Sequence, residues 1–195
     1  TQPSQQDGKQ TIYEKIELVC PIDGSKVEGY TIKAFLTTGT DRDFCNLYAG
    51  QSLYDLWITC SKNGYCGYKE DFGIPLTKKV KEKIQKEITP TFKLETATPW
   101  DRYKIAAMIY EWRGKKELDV GNLYLRGTYT MRNLPLGPQD RIKEYQLREN
   151  AIKWLRKAER KGQFPLAEVS NSKYLIGELY RRNGQFSKAI GYFED

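Results

Sequence analysis

The sequence has no histidine in 195 residues. That removes the commonest general base, the usual proton shuttle and the commonest nitrogen ligand for metals. Ser-His and Cys-His nucleophile pairs are excluded outright. Neither G-x-G-x-x-G nor G-x-x-x-x-G-K-[ST] occurs, so no phosphate-cradling loop can be read from it. No apolar run approaches the about 18 residues of a membrane span. Catalysis would have to rest on Asp, Glu, Lys, Tyr or Cys. The acid clusters Asp41/Asp43 and Glu70/Asp71 suggest a hydrolase or transferase only weakly, because no base, metal set or phosphate loop stands beside them. The residues favour a protein that is not an enzyme.

What the chain does contain is aromatic and charged. Aromatic residues make up 13%, with 14 Tyr against 7 Phe, charged residues 29%, and the net charge is +7. With a mean hydropathy of −0.70, this describes a water-soluble chain with aromatic cores rather than a disordered one. The charge is uneven. Residues 1–75 hold seven Lys/Arg and ten Asp/Glu, a balance of −3, and residues 76–195 hold 25 and 15, a balance of +10. A basic half suits an acidic partner or nucleic acid. Its cations alternate with Glu as on a solvated helix face, which argues against nucleic acid.

Four cysteines lie between residues 20 and 66. Cys20-Pro21-Ile22-Asp23-Gly24 has the Pro and Gly of a zinc knuckle, with Asp23 where a second Cys belongs. Cys60-Ser61-Lys62-Asn63-Gly64-Tyr65-Cys66-Gly67-Tyr68 has both Cys, spaced too widely for a knuckle. Three readings stay open. Zinc would take Cys20, Cys60 and Cys66, with Asp23 or Cys45 as fourth ligand. Disulfides would form most simply as Cys60–Cys66 and Cys20–Cys45. Or the thiols are buried and free.

Along the chain, residues 1–10 read as a disordered tail, starting without Met, either at a mature exported end or at an artificial boundary. Residues 11–19 and 27–36 read as strands, 37–43 as a polar loop, and 53–59 as an apolar strand leading into Cys60. The β-rich part closes near residue 75. Beyond it, Leu76, Val80, Ile84 and Ile88 mark a helix with one narrow apolar stripe. Thr98-Pro99-Trp100-Asp101 is a helix start, with a Thr cap, Pro in the first turn and an acid behind it, and Gly114 is its stop. Further helices are expected over 117–132, 139–160, from 170 or 172 to near 183, and from 186 to 193. Gly121 and Gly127 each cost their helix about 1 kcal/mol relative to Ala, so small residues there point to close helix contact.

The last two helices carry a tetratricopeptide-like pattern: Ile176-Gly177, Tyr180, the turn Gly184, Ala189 and Phe193. Small positions let the hairpin close and aromatics fill the space beside them. Weaker echoes fall at Ala107, Tyr110 and Gly114, and at Ala151, Leu155 and Ala158. Such hairpins stack to bury a shared core, and this array reads as incomplete at its C-terminal end.

Together, Cys-Pro-x-x-Gly, Asp41-Arg42-Asp43-Phe44-Cys45-x-x-Tyr48, Leu53-Tyr54-Asp55-Leu56-Trp57, Cys66-Gly67-Tyr68 and Asp71-Phe72, with Tyr174–Arg182, Ala189 and Phe193, resemble a bacterial family of uncharacterised proteins, domain of unknown function 2225. The resemblance runs from about residue 12 to the end. It implies a zinc-ribbon-like N-terminal part fused to tetratricopeptide-like helices, and no assigned activity. Members typically carry Cys-x-x-Cys in both knuckles, a pattern broken here.

The expected fold is therefore α+β, mostly α: a β-rich, degenerate ribbon-like part over 11–75, then antiparallel helical hairpins over 76–195. The expected function is a structural or protein-interaction component without a cofactor, exported into an oxidising compartment, a building block of an envelope assembly such as a periplasmic flagellar coat. The alternative is a cytoplasmic zinc-ribbon scaffold with a regulatory protein or nucleic-acid partner.

Overall fold

The structure, a computed structural model, describes residues 12–48, 52–132 and 134–194. The expected tail over 1–10 lies outside the described residues. The chain is α+β and mostly α, with three small antiparallel strand pairs followed by helices.

Strands β1 (Ile12–Val19) and β2 (Lys26–Ala34) form the first hairpin, with Val19 opposite Lys26. Lys15–Glu28, Lys26–Glu17 and Lys33–Glu14 pair across its solvated face. The turn between the strands is closed by Cys20 N–H donating to Ser25 O at 2.8 Å and Gly24 N–H to Cys20 O at 2.9 Å. Gly24 takes φ 76° there, a conformation glycine adopts without steric cost. Strands β3 (Thr37–Thr40) and β4 (Asn46–Tyr48) form the second hairpin. This corrects the polar loop expected over 37–43. All four β3 residues are exposed, so no apolar alternation marks the strand. The run 53–59 also differs from expectation: it makes one helical turn, α1 (Tyr54–Trp57), before the short strand β5 (Thr59–Cys60) pairs with β6 (Cys66–Gly67).

Helices α2 (Lys78–Glu87), α3 (Pro99–Trp112), α4 (Glu117–Tyr129), α5 (Pro138–Arg160), α6 (Val169–Arg182) and α7 (Phe186–Glu194) follow. The Thr98 hydroxyl accepts from Asp101 N–H and Pro99 opens α3, as expected of that start. Glycines set the spacing of the next helices. A Cβ on Gly127 would sit 3.2 Å from Tyr103 Cβ of α3 and 3.5 Å from Leu147 of α5, and one on Gly121 would sit 3.1 Å from Leu155 of α5. These pairings run α3, α4 and α5 antiparallel. Among the described residues, no helix is long and apolar enough to cross a membrane.

Among the described residues two apolar clusters form, and both straddle residue 75. One joins Cys45, Tyr54, Ile58, Cys60 and Cys66 to the interior of α3–α7. The other joins Cys20, Val27, Tyr65 and Phe72 to Val80, Ile84 and Ile88 of the α2 stripe and Ile109 of α3. The β hairpins are thus packed into the helical array instead of hanging from it.

Candidate interaction groove and the cysteine turns

Cys60 and Cys66 are cross-strand partners in the β5–β6 hairpin and form a disulfide. Cys20 and Cys45 are buried free thiols. The expected Cys20–Cys45 bond is not formed, because the two residues belong to different apolar clusters. The zinc set fits no better. Cys60 and Cys66 spend their sulfurs on each other, and Cys45 belongs to the other apolar cluster from Cys20. Asp23 turns its carboxylate to Ser25, accepting from its backbone N–H at 3.0 Å and its hydroxyl at 2.8 Å. Those two bonds hold the Asp23 pKa below its usual value. Among the described residues, no group of three or more His, Cys, Asp or Glu is placed to hold a metal ion.

Asn63 joins the two turns, and sequence reasoning missed it. Its Nδ2 lies 3.4 Å from Cys20 Sγ, and the thiol lies 3.6 Å from its Oδ1. The same oxygen accepts from Ser61 Oγ and from Tyr65 N–H. The Asn63 carbonyl accepts from Thr89 Oγ1 at 2.6 Å, just past α2. A signal was available: Asn63 precedes Cys66 by three residues, the interval that separates Cys20 from Asp23.

Three of the four acids of the hydrolase reading, Asp41, Asp43 and Asp71, are held by arginines. Asp41 and Asp43 pair with Arg132 beyond α4 and with Arg182 of α6, and Glu178 takes Arg181 and Arg182. Burial works against the Asp41 and Glu178 carboxylates, yet the Arg42 N–H and Arg182 lower the first and Arg181 and Arg182 the second. Asp71 is buried, pairs with Arg113 at 2.9 Å and accepts from the Tyr110 hydroxyl at 2.7 Å. Glu70 is exposed beside Lys69. The two acid clusters are thus on separate sites, each tied to a helix. Cys45 lies beside the first, its thiol pushed up to about 11, chiefly by burial; it is protonated and unreactive at neutral pH.

That ion cluster fixes the loop between β3 and β4. Asp41 N–H donates to Cys45 O and Phe44 N–H to Asp41 O, leaving Arg42-Asp43-Phe44 as a three-residue tip. Such tips end in a left-handed residue, normally Gly. Here it is Phe44, at φ 61°, the one non-glycine residue with positive φ among those described. A left-handed non-glycine residue costs about 1–2 kcal/mol. Its ring, 41% exposed, lies 6.0 Å from that of Tyr174.

The exposed Phe44 lines a cavity of about 350 Å³ together with Leu118, Leu155, Phe164 and Leu175. Asn122 of α4 and Asn171 of α6 also face it. Neither amide makes a side-chain hydrogen bond among the described residues. An apolar lining with free amides beside it suits an extended polypeptide: the apolar part takes side chains and the amides pair with backbone N–H and C=O groups. The repeat residues shape the neighbouring hairpin. Ile176, Tyr180 and Ala189 are buried, Gly184 makes the α6–α7 turn at φ 72°, and a Cβ on Gly177 would fall 2.6 Å from the Phe193 ring. Phe193 itself stays 43% exposed.

Comparison with known proteins agrees with the resemblance. The model of a family described as uncharacterized proteins conserved in bacteria, domain of unknown function 2225, matches residues 12–195. The chain belongs to that family. No curated protein and no solved structure matches it.

Proposed function

We propose that this member of the bacterial family is a non-enzymatic protein-interaction component, which takes an extended segment of a partner protein in the groove bordered by Phe44, Asn122 and Asn171. The observation that carries this is Phe44. A strained backbone kept at a loop tip is retained where the surrounding structure enforces it and something is gained. Here the Asp41/Asp43–arginine cluster enforces it, and the gain is an aromatic side chain lining an apolar cavity. The four acids of the hydrolase reading are engaged with arginine, tyrosine or lysine, which supports a non-enzymatic reading.

We further infer an exported setting. A Cys60–Cys66 disulfide persists in an oxidising compartment and is rare in a reducing one. A building block of an envelope assembly, of the kind that coats a periplasmic flagellum, combines that compartment with tetratricopeptide-like hairpins. The cytoplasmic zinc-ribbon alternative requires Cys60 and Cys66 as thiolates, and a disulfide withholds both.

The test is photo-crosslinking in cells with p-benzoyl-phenylalanine at Asn171, and at Lys79 on α2 as control. One dominant adduct at Asn171, absent at Lys79 and lost when Leu118→Lys places a charge in the apolar lining, is expected. Equal adducts at both positions, or an Asn171 adduct indifferent to Leu118→Lys, would overturn the proposal.

A further inference from the structure

Arg126 of α4 is half-buried and, among the described residues, carries no ion pair. Its Nη1 donates to the Tyr68 hydroxyl at 2.6 Å, and its guanidinium lies 5.1 Å from the Trp57 ring centre and 5.7 Å from that of Tyr68. Among the described residues, no carboxylate stands within ion-pair distance of it. Arg113, Arg132 and Arg182, which also join hairpins to helices, each hold at least one. The phenols around Arg126 supply no counter-charge: burial raises the pKa of Tyr68 and of Tyr103, so both stay neutral at physiological pH. Stacking on Trp57 and Tyr68 offsets part of the cost of desolvating the cation, but an enclosed charge is ordinarily matched by an opposite one.

The missing charge has a place to sit. A cavity of about 310 Å³ opens beside Arg126, between Trp57, Tyr68 and the Tyr30–Ile32 stretch of β2. Lys69 stands on its wall, donating to Thr31 Oγ1 at 2.8 Å. The one carboxylate of the lining, Glu70, is exposed and lies 3.8 Å from Lys69. Arg126 and Lys69 against Glu70 leave the lining one net positive charge, which matches a monoanion better than a phosphate dianion.

We propose that this cavity binds a carboxylate. The guanidinium fork of Arg126 takes the two oxygens, Lys69 adds the second cation, and Trp57 and Tyr68 flank the apolar stem behind the carboxyl group. The carboxylate is carried either by a free organic acid or by a Glu or Asp side chain of a partner; the chemistry is the same. The site shares no lining residue with the groove at Phe44, so the two proposals stand or fall separately.

The test follows the Trp57 indole N–H by NMR, assigned by its loss in Trp57→Phe, at constant ionic strength set with sodium chloride. Benzoate, N-acetyl-glutamate amide and inorganic phosphate are titrated separately. A saturable shift with benzoate alone identifies a free acid, and one with the blocked glutamate identifies a protein side chain. Either supports the proposal, provided that Arg126→Gln abolishes it and Lys69→Met weakens it by about two- to fivefold. Lys69→Glu, at an exposed position, should abolish it as well, which keeps the test decisive if Arg126→Gln fails to fold. No saturable shift with either carboxylate, an equal or tighter response to phosphate, or binding unchanged in Lys69→Glu would overturn it.

Discussion

Neutralising Asp43 should unseat the loop that carries Phe44. The Asp43 residue is fully buried, pairs with Arg132, and lies 3.6 Å from Arg182 Nε. The Tyr129 hydroxyl also donates to its carbonyl. Asp43→Asn keeps the volume and removes the charge, so two mostly enclosed guanidiniums face an amide. At an effective dielectric of about 20, a single pair at that separation is worth about 4–5 kcal/mol of Coulomb energy, and breaking a buried pair typically costs about 3–5 kcal/mol. The lower end applies here. Asp41 still reaches both arginines, and Glu178 still holds Arg182. The expected loss is about 3 kcal/mol, or a fall in Tm of about 6–12 °C for a chain of this size. Urea unfolding at pH 7, followed by circular dichroism and tryptophan fluorescence, measures it. Asp41→Asn, at a third-exposed side chain, should cost about 1 kcal/mol, and an Asp43/Arg182 double-mutant cycle should return a coupling above about 1 kcal/mol. A loss under about 1 kcal/mol for Asp43→Asn would refute the view that this cluster locks the hairpin to the helices. The Asn171 crosslink should weaken in the same variant, since Phe44, which lines the groove, moves with the loop.

Other outcomes follow from single features. Gly64→Ala places a Cβ 2.5 Å from Ile88 Cγ2 at φ 87° and should cost about 2–5 kcal/mol from strain plus overpacking; Gly24→Ala, at φ 76° with nothing nearby, should cost only about 1–2 kcal/mol in the same denaturation assay. Burial pushes Asp55 up to about 6, with Arg102 opposing, and its Oδ1 has no hydrogen-bond partner. A carboxyl raised in the folded state stabilises below its unfolded value near 3.8, and that stability is lost as pH rises through about 6; Asp55→Asn should therefore raise Tm at pH 8 and leave it nearly unchanged at pH 4. Intact mass should rise by about two units on reduction, for one bridge, and alkylation of the denatured, unreduced chain should label two thiols. Opening the bridge should cost about 2 kcal/mol for so short a loop, while a metal chelator should leave Tm unchanged; a chelator effect equal to that of reductant would sink the disulfide account.

Features written in local chemistry were legible in the sequence. Thr98, Pro99 and Asp101 specify the start of α3 whatever packs against it, and Gly114, at φ 66°, marks its stop. The α2 stripe was equally plain, since Val80, Ile84 and Ile88 are buried on one face. What escaped depends on partners distant in sequence. β3 is exposed throughout, so nothing in Thr37–Thr40 distinguishes a strand from a loop; β4 and the turn at Phe44 make it one. The run 53–59 is apolar because it is enclosed by several elements, and a short run of that kind does not report its period. Counting cysteines could not separate Cys20 from Cys45, because only the packing assigns them to different clusters. Phe44 and Arg126 were missed for a related reason. A left-handed phenylalanine and an arginine without a counter-ion are defined by a backbone angle and by an absent neighbour.

The two cysteine turns are held by several contacts of different kinds. A tetrahedral metal would fix four points through one atom. The contacts seen here are pairwise. The Cys60–Cys66 bond closes the β5–β6 hairpin, Asn63 spans to the Cys20 thiol, and Asp23 braces its own turn through Ser25. Thr89 and Ile88, at the end of α2, clamp the Asn63–Gly64 tip from the helical side. The last of these is what a self-contained metal ribbon would not need. The turns draw order from the helices, since the apolar cluster around Cys20 continues into α2 and α3. Asn63→Ala should then loosen the first hairpin without unfolding the second: amide exchange should quicken through β1 and β2, while β5, β6 and α2 keep their protection. Equal loss of protection in both hairpins would mean that one cooperative centre, not a chain of pairwise contacts, holds them.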